Sequence, residues 1–114
     1  MQIESKNENG ILVLKLSEKR LDAKLAIDFR DTVGEFIKNN NKLIILNMSA
    51  VDFIDSSGLG AIVSCLKLMG PHGHLSLCGL SARVVALFKL TRMDRVFTLC
   101  ATEEQALQSL SLCP

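Results

Sequence analysis

Residues 43 to 48, "LIILNM", are apolar at every position but Asn47. A strand sends alternate side chains to opposite faces, so a run without alternation suits a strand covered on both, as in a parallel or mixed sheet. The chain must therefore supply that cover. Between Asp22 and "KNNNK", Leu25, Ala26, Phe29, Val33, Phe36 and Ile37 recur at steps that mark one face of a helix. "LGAIVSCLKLM" is helical by length and composition and is stopped by Gly70-Pro71.

The remaining segments keep the same rhythm. "QIES" and "ILVLKL" read as two strands joined across the Asn-Glu-Asn-Gly turn at residues 7 to 10. "HLSLCGL" alternates like a strand, and Ser81 is placed to cap a helix that carries Val84, Val85 and Phe88 inward. "RVFTL" reads as a last strand and "TEEQALQSL" as a last helix capped by Thr102. Strand and helix alternate, which predicts a single α/β domain over residues 1 to 114, a mixed β-sheet of four to five strands packed against four to five helices.

Composition narrows the function. A chain of 114 residues with 48% hydrophobic and 22% charged residues falls among ordinary globular domains. The formal net charge is only +1, and Trp and Tyr are absent, so no nucleic acid partner is expected. No apolar stretch approaches the ~20 residues that span a bilayer, and no amino-terminal run resembles a signal peptide. The expectation is a cytoplasmic protein without direct membrane insertion. Cys65, Cys78, Cys100 and Cys113 stand too far apart for a zinc site and too sparsely for a disulfide scaffold. They are read as reduced thiols, with Cys65 and Cys78 packed as small hydrophobes and Cys113 in the tail.

The chemistry concentrates in "DFIDSSGLG", residues 52 to 60. A buried strand runs out at Val51 to Ile54 and a helix is expected just past the glycines, so Asp55, Ser56 and Ser57 stand where the helix's free amides point outward. One serine is expected to be the N-cap, which leaves the other hydroxyl free at the positive end of the helix beside a carboxylate. The stretch is neither a phosphate-binding loop, nor a dinucleotide fingerprint, nor a nucleophile elbow. The histidines, His72 and His74, follow a helix about 16 Å long that the serines precede, so a Ser-His pair is disfavoured. No base, metal site or cofactor loop can be assembled around the hydroxyls, so neither an enzyme nor a cofactor is expected.

In this setting "LIILNMSAVDFIDSSGLGAIV" resembles the signature of the STAS domain, the family of sulfate transporters and anti-sigma factor antagonists. "LDAKLAIDFRDTV", "HLSLCGLSARVVALFKLTRMDRVF" and "ATEEQAL" resemble the family's first helix, its later strand-helix-strand and its closing helix. The resemblance implies a free-standing anti-sigma factor antagonist, switched by phosphorylation on the serine directly after the aspartate. That position is Ser56, with Ser57 as the alternate. It implies two partners, an anti-sigma factor serine kinase and a metal-dependent serine phosphatase acting on the phosphoprotein. The implied docking surface is Asp22, Asp55, Ser56, Ser57, Gly58, Leu59, Gly60 and Ser64, on a monomer or weak dimer.

Several assignments stay open at this level. Asp22 is either a partner contact or the N-cap of its helix. Asp55 either caps its helix, repels an incoming phosphate or orients the hydroxyl. Ala61, Cys65 and Leu68 form a second apolar stripe on the helix after the loop, either met by a partner or covered by the protein itself. Many antagonists carry a glycine shortly before the Leu21-Asp22 pair, where this chain has Glu18, Lys19 and Arg20. The alternative function is a soluble STAS subunit of a lipid or solute transporter complex, with the serine structural.

Overall fold

The computed structural model describes residues 1–111; Cys113, assigned above to the tail, lies outside them. The chain begins with an antiparallel hairpin of β1 (Ile3–Glu8) and β2 (Ile11–Leu16). Glu8 pairs with Ile11, so the loop is Asn9-Gly10 alone, with φ of 53° and 85°. Both values lie in the left-handed region that a tight turn between right-twisted strands demands, and asparagine and glycine are the residues that tolerate it.

From β2 the sheet continues in parallel through β4 (Leu43–Asn47), β6 (His74–Cys78) and β7 (Thr98–Cys100), giving the spatial order β1-β2-β4-β6-β7. Four α-helices cover it: α1 (Ala23–Lys38), α2 (Ser56–Met69), α3 (Ala82–Leu90) and α4 (Glu103–Ser111). The first three bury one face through Phe29, Val33, Ile62 and Phe88, packed with Leu12, Leu14, Ile44, Leu46 and Leu77. Among the described residues the opposite face receives only α4, whose Ala106 and Leu110 pack with Ile11, Val13, Ile45 and Cys78. That division explains the unbroken apolar run of β4, since Ile44 and Leu46 belong to the cluster built with the first three helices while Ile45 belongs to the one built with the fourth. Among the described residues, no helix is long and apolar enough to cross a membrane.

Two local differences from the sequence reading have clear causes. The chain turns after β4, where the Val51 amide donates to the Met48 carbonyl, and Phe53–Ile54 form their own short strand, β5. It pairs in parallel with β3 (Arg20–Leu21), apart from the main sheet. The last strand is shifted to Thr98–Cys100, because the amides of Val96 and Phe97 both donate to the Met93 carbonyl at 3.0 Å and close a 3-10 turn at Met93–Arg95. Phe97 is held there edge-on against Phe88, ring centroids 5.8 Å apart. The expected caps form: Ser81 Oγ accepts from the Val84 amide at 3.2 Å and Thr102 Oγ1 from the Gln105 amide at 3.1 Å.

Glu103, at the start of α4, ties that helix to the sheet. Its carboxylate pairs with Lys6 Nζ of β1 at 2.8 Å and accepts from Asn47 Nδ2 of β4 at 3.0 Å. Lys6, then Asn47, hold the Glu103 carboxyl below its usual range. A carboxyl depressed in the folded state contributes stability above its unfolded value, near about 4.3, and loses it as pH falls through the folded one. Urea midpoints measured between neutral and acid pH should therefore drop less steeply for Glu103→Gln than for the parent; parallel curves would mean that the pairing adds no stability.

Candidate partner-binding site

The site is built where α1 and α2 begin side by side. Asp55 follows β5 with an extended backbone, and its Oδ1 accepts from the Gly58 amide at 2.9 Å, which makes it the N-cap of α2. The other oxygen, Oδ2, accepts from the amide of Ala23 at 3.0 Å, the first residue of α1. One carboxylate thus closes the positive ends of two helices. Asp22 caps α1 in the ordinary way, its Oδ1 accepting from the Lys24 amide at 3.1 Å. Of the roles left open for Asp22 and Asp55, capping is the one the geometry displays.

The expectation that a serine caps α2, and that the helix begins beyond the glycines, is corrected. Helix α2 starts at Ser56 because Asp55, one residue earlier, offers two acceptor oxygens in fixed geometry and takes donors from both helices. Ser56 and Ser57 become the first two helical residues, and both are exposed. Among the described residues neither hydroxyl has a partner, and their two amides are the donors left unclaimed at that helix end.

Gly58 sets how closely the helix start approaches β3. It is buried, and a Cβ there would fall on the Leu21 carbonyl oxygen and crowd Ile54 Cγ2. The segment before Leu21, where this chain has Glu18, Lys19 and Arg20, is fastened to the same loop. The Lys19 carbonyl accepts from the Asp52 amide at 2.7 Å, and the Arg20 guanidinium lies 4.3 Å over the Phe53 ring.

Along α2, Ile62 is buried in the core, with Leu59, Val63 and Leu66 packed half-buried against it. The second stripe is largely covered by the protein itself: Ala61 and Cys65 are buried, and only Leu68 emerges, 47% exposed. Helix α1 packs against α2 and covers it, with Leu68 Cδ2 beside Gly34. Outside that seam runs a furrow of two shallow clefts that share Arg30. One of about 210 Å³ is lined by Ala26, Ile27, Ser57, Gly60 and Ala61, the other of about 470 Å³ by Asp31, Glu35, Lys38, Ser64 and Leu68 among others. Ser64 stands about two turns along α2 from the serine pair, its hydroxyl donating to the Gly60 carbonyl at 3.0 Å.

The structure therefore brings Asp22, Asp55, Ser56, Ser57 and Gly58 together at the two helix starts, with Gly60 exposed on the next turn and Leu59 facing the core. Sequence reasoning passed over Ile27 and Arg30 of α1. The signal was present, since Ile27 falls outside the inner-face spacing of its helix and is 64% exposed. Both histidines lie past the far end of α2, which is about 21 Å long at 1.5 Å per residue. Burial pushes the thiols of Cys65 and Cys78 up to about 11.

The STAS domain model matches residues 2–106 of the chain. The chain belongs to the STAS domain family. It is 28% identical over 114 residues to the anti-sigma F factor antagonist of Paenibacillus polymyxa, covering 98% of this chain and 97% of that one. The crystal structure of tm1081 from Thermotoga maritima superposes with a TM-score of 0.84 at 27% identity, covering 94% of this chain and 92% of that one. The Bacillus cell fate determinant SpoIIAA in its phosphorylated form shares the fold, with a TM-score of 0.71 at 21% identity over 96% of this chain and 99% of that one.

Substitution at this STAS site should separate two kinds of damage. Asp55→Ala leaves two helix-end amides without an acceptor, and urea unfolding should show a loss of about 1–3 kcal/mol. Gly58→Ala forces β3 and α2 apart and should cost at least as much, whereas Ser56→Ala should stay within about 0.5 kcal/mol of the parent. A Gly58→Ala protein as stable as the parent would refute the close approach.

Proposed function

We propose that this STAS domain is an anti-sigma factor antagonist that works by exchange of partners. Unphosphorylated, it binds an anti-sigma factor serine kinase and frees the sigma factor that the kinase holds. Phosphorylation of Ser56 ends the contact, and a metal-dependent serine phosphatase restores it. The observation that carries this reading is the placement of Ser56, an exposed hydroxyl without an internal partner, directly after the carboxylate that caps two helices. The full-length likeness to an antagonist of the same size, and a structural neighbour described in phosphorylated form, support it.

The physical basis is local. A phosphoserine at position 56 adds nearly two negative charges beside Asp55. Within the free protein the helix end partly accommodates that charge, with the amides of Ser56 and Ser57 unclaimed, so the fold need not change. At an interface shaped for a neutral hydroxyl, the same dianion meets desolvation and repulsion. A penalty of about 3 kcal/mol weakens binding over a hundredfold at 1.4 kcal/mol per decade. The docking surface would comprise the helix starts and the furrow between α1 and α2, with Ser57, Gly60 and Ser64 from α2 and Ile27 and Arg30 from α1.

Incubation with ATP, magnesium and the cognate kinase should add the mass of one phosphate, and Ser56→Ala should abolish the addition. In titrations against that kinase, Ser56→Ala should bind as tightly as the unmodified protein, and Ser56→Asp or the phosphoprotein about a hundredfold more weakly. Equal affinity of all forms would overturn the switch; loss of the phosphate only in Ser57→Ala would move it by one residue.

A further inference from the structure

The geometry points to a second modification site, on the face of the sheet that α4 covers: Cys78 and Cys100 form a thiol pair that a peroxide closes into a disulfide between β6 and β7. The two residues are register partners on neighbouring parallel strands. In-register residues on adjacent strands stand about 4.8 Å apart, inside the ~4.4–6.8 Å between α-carbons that a disulfide spans, and their side chains leave the same face of the sheet. The Cβ separation of such a pair is somewhat longer than a disulfide prefers, so one strand must give by a fraction of an ångström. That freedom exists here, because β7 is a three-residue strand at the edge of the sheet and Cys100 is its last residue.

The two thiols divide the chemistry. Cys100 is half-buried, whereas Cys78 is wholly buried behind α4 and its thiol is pushed up to about 11, first by burial. Cys100 is therefore the sulfur that meets the oxidant. Its thiolate attacks one oxygen of hydrogen peroxide, the O–O bond breaks, and a sulfenic acid and one water form. The Cys78 sulfur then attacks the sulfenic sulfur, the S–O bond breaks, and a second water leaves with the Cys78 proton. Two thiols and one peroxide give one disulfide and two waters. Proximity offsets the low thiolate fraction of Cys78, since its target is held on the adjacent strand. The new bond would enclose α3 and the 3-10 turn in a covalent loop.

The full chain, treated with hydrogen peroxide and freed of the oxidant before alkylation, should lose the mass of two hydrogen atoms, and dithiothreitol should restore it. Peptide mapping should join Cys78 to Cys100 and leave Cys65 and Cys113 alkylated once the protein is unfolded. The Cys65→Ser/Cys113→Ser double variant keeps both proposed partners and should close in the same way, while Cys100→Ser should not close at all. A bridge to Cys113, a dimer linked between chains, or Cys100 oxidised to the sulfinic acid without a bridge would each overturn the assignment.

Discussion

The carboxylate of Asp55 fixes the relation between α1 and α2. Its two oxygens accept from Gly58 of one helix and Ala23 of the other, so the positive ends of both converge on one negative group. Each helix start carries amides that cannot be satisfied within the helix, and a shared acceptor both satisfies them and sets the distance between them. The core takes up that alignment. Ala26 and Val33 of α1 and Ala61 and Cys65 of α2 are small or branched residues buried in the same cluster, allowing the helices close approach from the caps downward. Gly58 completes the arrangement, because any side chain there would meet the Leu21 carbonyl of the strand leading into α1.

Much of this was legible in the sequence because it depends on periodicity and cap chemistry. The α1 face, the parallel central strand and the caps at Ser81 and Thr102 all follow from local patterns that the tertiary structure reinforces, and so does the hairpin, although its turn is Asn9-Gly10 alone because Asn7 and Glu8, read as part of the turn, pair in β1. What was not legible depends on contacts between distant segments. Periodicity cannot show that Asp55 receives the amide of Ala23, a residue 32 positions away, and without that second donor a serine looks as good a cap as the aspartate. The stripe of Ala61 and Cys65 likewise reads as open or covered with equal ease until the position of α1 is known. The shift of the last strand comes from the Phe88–Phe97 contact and the turn it stabilises, again a pairing beyond the reach of a short window.

The departure at Glu18, Lys19 and Arg20 has a structural counterpart. Where a glycine would leave the backbone loose, this chain uses the Lys19 carbonyl and the Arg20 side chain to hold the segment against Asp52 and Phe53. Arg20 also reaches Asp22 at 3.5 Å, a long and largely exposed pairing that adds little stability by itself. Its consequence is positional, since β3 and β5 are each only two residues long and need such side-chain contacts to stay in register. The loop before α1 and the loop before α2 therefore behave as one structural unit.

That unity bears on how a phosphate at Ser56 would act in the proposed switch. A flexible loop could absorb a dianion by moving, and the partner would then sense a change of shape. Here the backbone on one side is paired with β3, the carboxylate beside it is engaged by two helices, and the glycine two residues on is packed against a carbonyl. Displacing Ser56 would break several of these contacts together, at a combined cost on the order of the ~3 kcal/mol assigned to the interface itself. The charge would therefore stay where it is placed, at the first residue of α2 and next to Ser57, which lines the furrow between α1 and α2. In the proposed switch a rigid site of this kind would signal by electrostatics, and the fold beneath it would keep the hydroxyl from retreating once modified.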